Sequence, residues 1–282
     1  MTRAGGLLLL ALAIVACSTI PSPEQRRQRA DELAAQRGWQ SVRLPAENFD
    51  LIAYHTTRVV PAQRLTVYIE GDGFAWLSPA QPSSDPTPRE PLALRLALAQ
   101  PEGNAAYLAR PCQYVDAAAS NCGSRYWRGA RFAPAVIAAA NQAIDALKQR
   151  FGAHRLTLVG YSGGAAVALL AAAGRDDVDG VVTVAGNLDH RAWTTHHRLT
   201  PLADSLDPVD QLETLAKISQ WHFVGGRDDN ITPMLVQDFA QRFPAQQRPR
   251  VQIEPSFDHR CCWADAWPAL WRSLPEAGTP NP

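Results

Sequence analysis

The chain lacks an excess of charge of either sign: 27 basic and 27 acidic side chains cancel over 282 residues. Bulk electrostatics therefore point to neither nucleic acid nor an anionic surface as a partner. No apolar run reaches the ~18–20 residues of a membrane-spanning helix. No cysteine or histidine spacing makes a persuasive zinc site, and no internal repeat interrupts the chain. What is present is apolar residue, 46% of the total, with Leu, Val and Ala in regular blocks. That suffices for a substantial core in one large α/β domain or two small ones.

The N-terminus places Arg3 before "GGLLLLALAIVAC", a basic start followed by a short apolar segment and small residues, the pattern of a secretory signal. Ile14-Val15-Ala16-Cys17 resembles the lipobox of bacterial lipoproteins. The resemblance implies that Cys17 receives lipid, becomes the mature N-terminus and provides membrane attachment. With Ser18 rather than an aspartate after it, it implies an outer-membrane anchor facing the periplasm. The chain then divides into a signal peptide over 1–17, a tether or N-terminal helix over 18–38, and a main domain over 39–275. Setting Cys17 aside leaves Cys112, Cys122, Cys261 and Cys262, an even number for an oxidising compartment. A local Cys112–Cys122 bridge is the simplest pairing, with Cys261 and Cys262 either free thiols or a vicinal disulfide; three pairings are formally open.

Along the main domain, apolar strand patterns alternate with helical ones. "RLTVYIEGDG" (Arg64–Gly73) is a strand ending in a glycine turn, Phe132 to Phe151 has helical spacing, and "GVVTVAGN", "ISQWHFVGG" and "RVQIEP" read as further strands. "AWLSPAQPSSDPTPREP" is a Pro- and Ser-rich surface loop. The alternation predicts a mostly parallel twisted sheet with helices on both faces. Residues 188–213 break the rhythm and predict a small cap-like insertion. In "CGSRYWRGARF", Trp127 is expected to cover core at a helix entrance; a pocket wall, or arginines paired with an anionic head group, is the other reading.

The chemistry concentrates in "LVGYSGGAAV", where Ser162 stands between a strand and a helix with Gly160 before it and Gly163 and Gly164 after it. This fits Gly-x-Ser-x-Gly, a turn so sharp that its neighbours must be small. A serine hydroxyl needs a base to become nucleophilic. "HFVGGRDDNITP" supplies an acid turn with Asp228 and Asp229, and "EPSFDHRCCW" supplies His259 later still. His190, His196 and His197 precede the acid turn and fit the base role poorly.

With these motifs, roughly Arg64 to Leu274 resembles the α/β-hydrolase superfamily. The resemblance implies that fold, with Ser162 as nucleophile, His259 as general base and Asp228 as the acid, Asp229 being the alternative. It also implies an oxyanion hole formed by the Gly163 amide and by Asp72 or Gly73. The family's usual His-Gly at that turn is Glu70-Gly71 here, leaving the second donor open and suggesting that Glu70 pairs with Arg110. The expected function is a serine hydrolase acting on a small-molecule ester or related acyl bond through an acyl-enzyme, a reaction that needs neither a metal nor an organic cofactor. An acyltransferase on the same triad and a non-catalytic envelope lipoprotein built on a hydrolase scaffold are the alternatives. Substrate identity is not legible; the insertion holds no long apolar lid.

Overall fold

A computed structural model describes residues 20–78, 80–116 and 122–275. Cys17 and the signal segment lie outside the described residues. In chain order the elements are α1 (Pro23–Ala35), β1 (Trp39–Ala46), β2 (Phe49–Thr56), β3 (Arg64–Ile69), a short ribbon of β4 (Trp76–Ser78) and β5 (Gln81–Pro82), α2 (Leu92–Ala99), β6 (Asn104–Leu108), α3 (Pro134–Phe151), β7 (Arg155–Tyr161), α4 (Gly163–Ala173), β8 (Val178–Val184), α5 (His190–His196), α6 (Leu212–Leu215), β9 (Ser219–Gly225), α7 (Pro233–Gln241), β10 (Arg250–Glu254) and α8 (Trp263–Arg272). Among the described residues no helix is long and apolar enough to cross a membrane.

Eight strands form one sheet in the order β1-β2-β6-β3-β7-β8-β9-β10. The β1–β2 and β2–β6 pairs are antiparallel, and every pair from β6 to β10 is parallel. The predicted alternation of strand and helix requires such crossovers, and they leave both faces to be covered. One face carries α3, α4 and α7, whose Ile144, Leu147, Leu169, Val236 and Phe239 pack on Leu156 and Leu158. The other carries α1, α2 and α8 through Ala30, Leu94, Leu96, Trp263 and Trp267. Helix α4 is apolar all round, with Gly163 through Ala172 buried; such a helix must be enclosed by neighbours rather than lie at a surface. Helix α1 opens with a capping box between Ser22 and Gln25 and has Pro23 in its first turn; it falls in the segment read as a tether or an N-terminal helix. The insertion over 188–213 contains α5 and irregular chain leading to a single-turn α6.

This topology sets the C-terminal ends of the parallel strands side by side. Ile69 pairs with Gly160, Tyr161 with Val184 and Gly225 with Glu254, so the loops after β3, β7, β9 and β10 open at one edge. Open α/β sheets bind ligands at that edge.

The first residue after β3, Glu70, is 1% exposed. Burial pushes its carboxyl up to about 7, against the pull of the Gly71, Ala93 and Leu94 amides and the Tyr107 hydroxyl. Its Oε1 accepts from the Gly71 amide at 2.9 Å. A carboxyl raised in the folded state holds a proton that the unfolded chain releases. Its contribution is therefore fully present below its ordinary 4.5 and is lost as pH rises through about 7. The stability of the protein minus that of Glu70→Gln should fall by about 3 kcal/mol between pH 4 and 8. Urea unfolding across that range reads it directly; a flat difference would assign Glu70 a neutral role.

Candidate active site

Ser162 lies between β7 and α4 at φ 50° and ψ −121°, a backbone conformation that non-glycine residues adopt only where surrounding structure imposes it. What imposes it is close packing of the helix start on the sheet. A Cβ on Gly160 would lie 2.4 Å from the Ala165 Cα, and one on Gly164 would lie 2.3 Å from the Ile69 carbonyl oxygen. The Ser162 amide donates to Val184 at 3.0 Å, and its carbonyl accepts from Asn187 at 2.9 Å. The side chain projects into a cleft above the sheet.

His259, on the loop after β10, places Nε2 3.1 Å from the Ser162 Oγ and Nδ1 2.8 Å from the Asp228 Oδ2. The chain separations are 97 and 31 residues. Asp228 is 3% exposed, and its Oδ1 accepts from the Asn230 and Ile231 amides at 2.9 and 2.8 Å. Asp229, the alternative acid, is exposed; in the turn after β9 the Asn230 and Ile231 amides hold only Asp228 inward. The Asn230 Nδ2 approaches His259 Nε2 at 3.2 Å. With Nδ1–H donating to Asp228, the single lone pair of Nε2 is shared between the Ser162 hydroxyl and the Asn230 amide. Asn230 also accepts from Trp193 Nε1 at 3.1 Å and offers its carbonyl to His197 Nε2 at 2.7 Å. The insertion thus braces the acid turn through α5, with His197 on the rim. His190 is buried 3.5 Å from Asp207, away from the cleft.

The turn after β3 faces this group. A Cβ on Gly163 would come 2.1 Å from Asp72 Oδ1, so the Asp72 carboxylate rests directly on the helix start. Glu70 does not pair with Arg110 as expected: Arg110 and Arg131 both bind Asp72, the first at 3.4 Å. Past the end of β3, Glu70 turns toward the start of α2, where the Ala93 and Leu94 amides and the Tyr107 hydroxyl face it, while Asp72 meets the guanidiniums. Desolvation raises the Asp72 carboxyl, but Arg131 and Arg110 outweigh it and hold it below the usual carboxylate range. Desolvation lowers Arg110 to about 10, opposed by Asp72. The Gln113 amide donates to the Gly71 carbonyl at 2.9 Å, and the Phe74 amide donates to Pro86 at 2.9 Å. The Cys112–Cys122 disulfide flanks Gln113, and Cys261 and Cys262 form the vicinal bridge. Phe74 and Gly71 amides being engaged, those of Asp72 and Gly73 remain as candidate second donors beside the Gly163 amide, which begins α4 and has no intrahelical acceptor.

The cleft holds about 1240 Å³. Trp76, Trp193 and Leu199 form apolar wall, and Ser162, His259 and Asn230 lie in its lining. Trp127 is 5% exposed and donates to the Ser83 carbonyl at 3.0 Å. It covers core as expected, while Arg125, Arg128 and Arg131 from the same segment line the cleft. Among the described residues no group of three or more His, Cys, Asp or Glu could hold a metal ion.

No family model and no curated protein sequence matches the chain. Solved structures do. Est1E from Butyrivibrio proteoclasticus is 12% identical with a TM-score of 0.55, over 82% of this chain and 97% of that one. XC6422 from Xanthomonas campestris, described as an α/β serine hydrolase without a lid, is 16% identical with a TM-score of 0.53, over 84% and 95%. The Pyrococcus furiosus esterase Pf2001 is 13% identical with a TM-score of 0.55, over 83% and 89%. The chain has the α/β-hydrolase fold.

Proposed function

We propose that this protein is a serine hydrolase that cleaves an ester or related acyl bond through an acyl-enzyme. The observation that carries the reading is the hydrogen-bonded series Ser162 Oγ, His259 Nε2 and Nδ1, and Asp228 Oδ2, at 3.1 and 2.8 Å. Similarity in fold to one protein described as a serine hydrolase and another described as an esterase supports it. Ser162 attacks the carbonyl carbon while His259 takes its proton, and Asp228 holds the imidazole in the required tautomer. The oxyanion faces the Gly163 amide and an amide of Asp72 or Gly73; one such donor is worth ~10²–10³ in turnover. His259 returns the proton to the departing alcohol, then activates the water that releases the acid. The chain is also proposed to be exported and lipid-anchored through Cys17, on the strength of its N-terminal pattern.

A fluorophosphonate probe is expected to label the protein stoichiometrically and to leave Ser162→Ala unlabelled. Labelling that survives the substitution, or none on the folded protein, would overturn the reading.

A further inference from the structure

The cleft does not share the neutrality of the whole chain. Three of the acids near it are answered by arginines: Asp72 by Arg131, Glu90 by Arg95 at 3.7 Å and Asp204 by Arg125 at 3.8 Å. Glu70, buried in its floor, is pushed toward its neutral form. That leaves Arg29, Arg89, Arg128 and Arg260 in the lining, none of which forms an ion pair among the described residues. Four arginines without an ion-pair partner thus border one concavity in a protein whose formal net charge is zero, Arg260 alone of them lying within the field of a carboxylate, Asp258.

Their placement follows the catalytic segments. Arg89 lies over the Phe74 ring at 5.6 Å, and Arg128 lies over the Trp76 ring at 5.7 Å. Phe74 and Trp76 continue the turn begun by Asp72 and Gly73. Arg260 directly follows His259. A guanidinium stacked on an aromatic face is held in position while its edge N–H groups stay available, the geometry that suits bidentate recognition of a carboxylate or phosphate. In a cleft with low-dielectric walls, like charges of this kind also concentrate an oppositely charged ligand.

We propose that the substrate is an anionic ester, one whose acyl or alcohol part carries a carboxylate or phosphate, and that Arg89 and Arg128 bind that group. This rests on the serine-hydrolase reading and names its substrate class. The arginines take no part in bond making. They position the charged end of the ester while Ser162 and His259 act on its carbonyl.

Two matched pairs test it. p-Nitrophenyl hemisuccinate against p-nitrophenyl butyrate places the charge on the acyl side. 1-Butyrylglycerol 3-phosphate against 1-butyrylglycerol places it on the alcohol side. At low ionic strength the anionic member of at least one pair should have ~10–100-fold higher kcat/KM, mostly through KM. Arg89→Gln and Arg128→Gln should each cut that ratio ~5–10-fold while leaving the neutral ester within about twofold, and 0.5 M NaCl should remove most of the preference. A ratio at or below one in both pairs, or a ratio indifferent to both substitutions, overturns the proposal even if fluorophosphonate labels Ser162 and neutral esters turn over. If labelling fails, the hydrolase reading fails separately. Calorimetric binding of the same pairs to Ser162→Ala then decides the anion site, with tighter binding of the charged member expected and equal binding counting against it.

Discussion

His259→Ala is expected to lower kcat on an activated ester by about 10⁶-fold, Asp228→Asn by about 10⁴-fold and Asp229→Asn by less than about twofold. The order follows from what each side chain touches. Removing the imidazole leaves the Ser162 hydroxyl with no base, and residual activity would come from the oxyanion donors and the cleft alone. The Asp228→Asn side chain keeps a carbonyl oxygen for the Asn230 and Ile231 amides, but presents an NH₂ that cannot accept from His259 Nδ1–H. The imidazole then favours the tautomer with its proton on Nε2, where it can no longer take one from Ser162. Asp229 is exposed and touches none of these groups. Burst and steady-state kinetics on the three variants, with unfolding curves to verify that each is folded, settle the assignment. Comparable losses in Asp228→Asn and Asp229→Asn would show that the acid turn acts through its backbone rather than through one carboxylate.

The nucleophile turn and the chain order of its partners were legible because their signals are local. Gly160, Ser162 and Gly164 sit within five residues, the apolar period changes at the serine, and the two later motifs each follow a recognisable strand. The choice between Asp228 and Asp229 was not local: two adjacent aspartates at a strand end differ only in which way the chain turns, and the His259 loop that selects between them returns 31 residues later. The ion-paired cluster on Asp72 was hidden for the same reason. Its arginines lie 38 and 59 residues away, on different loops, and no periodicity announces them. The mistaken pairing of Glu70 with Arg110 came from correct placement of both residues just past the ends of adjacent strands, where the chain has left the sheet and no strand periodicity fixes which way a side chain turns. Gln113 and Asn230 carry no motif at all. A weak signal existed for Gln113, since the Cys112–Cys122 pairing stakes down its loop, but nothing in it pointed to the Gly71 carbonyl.

Distances between the oxyanion turn and Ser162 therefore depend on contacts that sequence does not display. The elbow supplies one amide by construction, whereas the other belongs to a loop that must be held against it. Gln113 anchors that loop at Gly71 and Pro86 anchors it at Phe74. Between those two points Asp72 joins the loop to the rest of the site, with its carboxylate against Gly163 on one side and two guanidiniums on the other. The cluster carries one net positive charge next to the position where the oxyanion develops, so it opposes neither the substrate's anionic end nor the transition state.

Asp72→Ala should accordingly damage both stability and turnover. Arg110 and Arg131 have side chains 5% and 6% exposed, and without Asp72 they become neighbouring buried cations with no counter-charge. Breaking a buried ion pair by removing one partner costs about 3–5 kcal/mol, and two cations share this one anion. Arg110 retains the Arg131 carbonyl and Arg131 retains the Arg128 carbonyl at 2.8 Å, so the fold should survive with a reduced urea midpoint. Turnover should fall by about 10²-fold, through kcat more than KM, as the second oxyanion amide loses its fixed distance from Gly163. A double variant distinguishes the two effects. Asp72→Ala with Arg131→Met removes one stranded charge and should recover about half of the lost stability, yet it restores nothing to the position of the turn, so kcat should stay low. Recovery of activity together with stability would mean that the cluster serves only to keep the domain folded, and that the amides of Asp72 and Gly73 are held well enough by Gln113 and Pro86 alone.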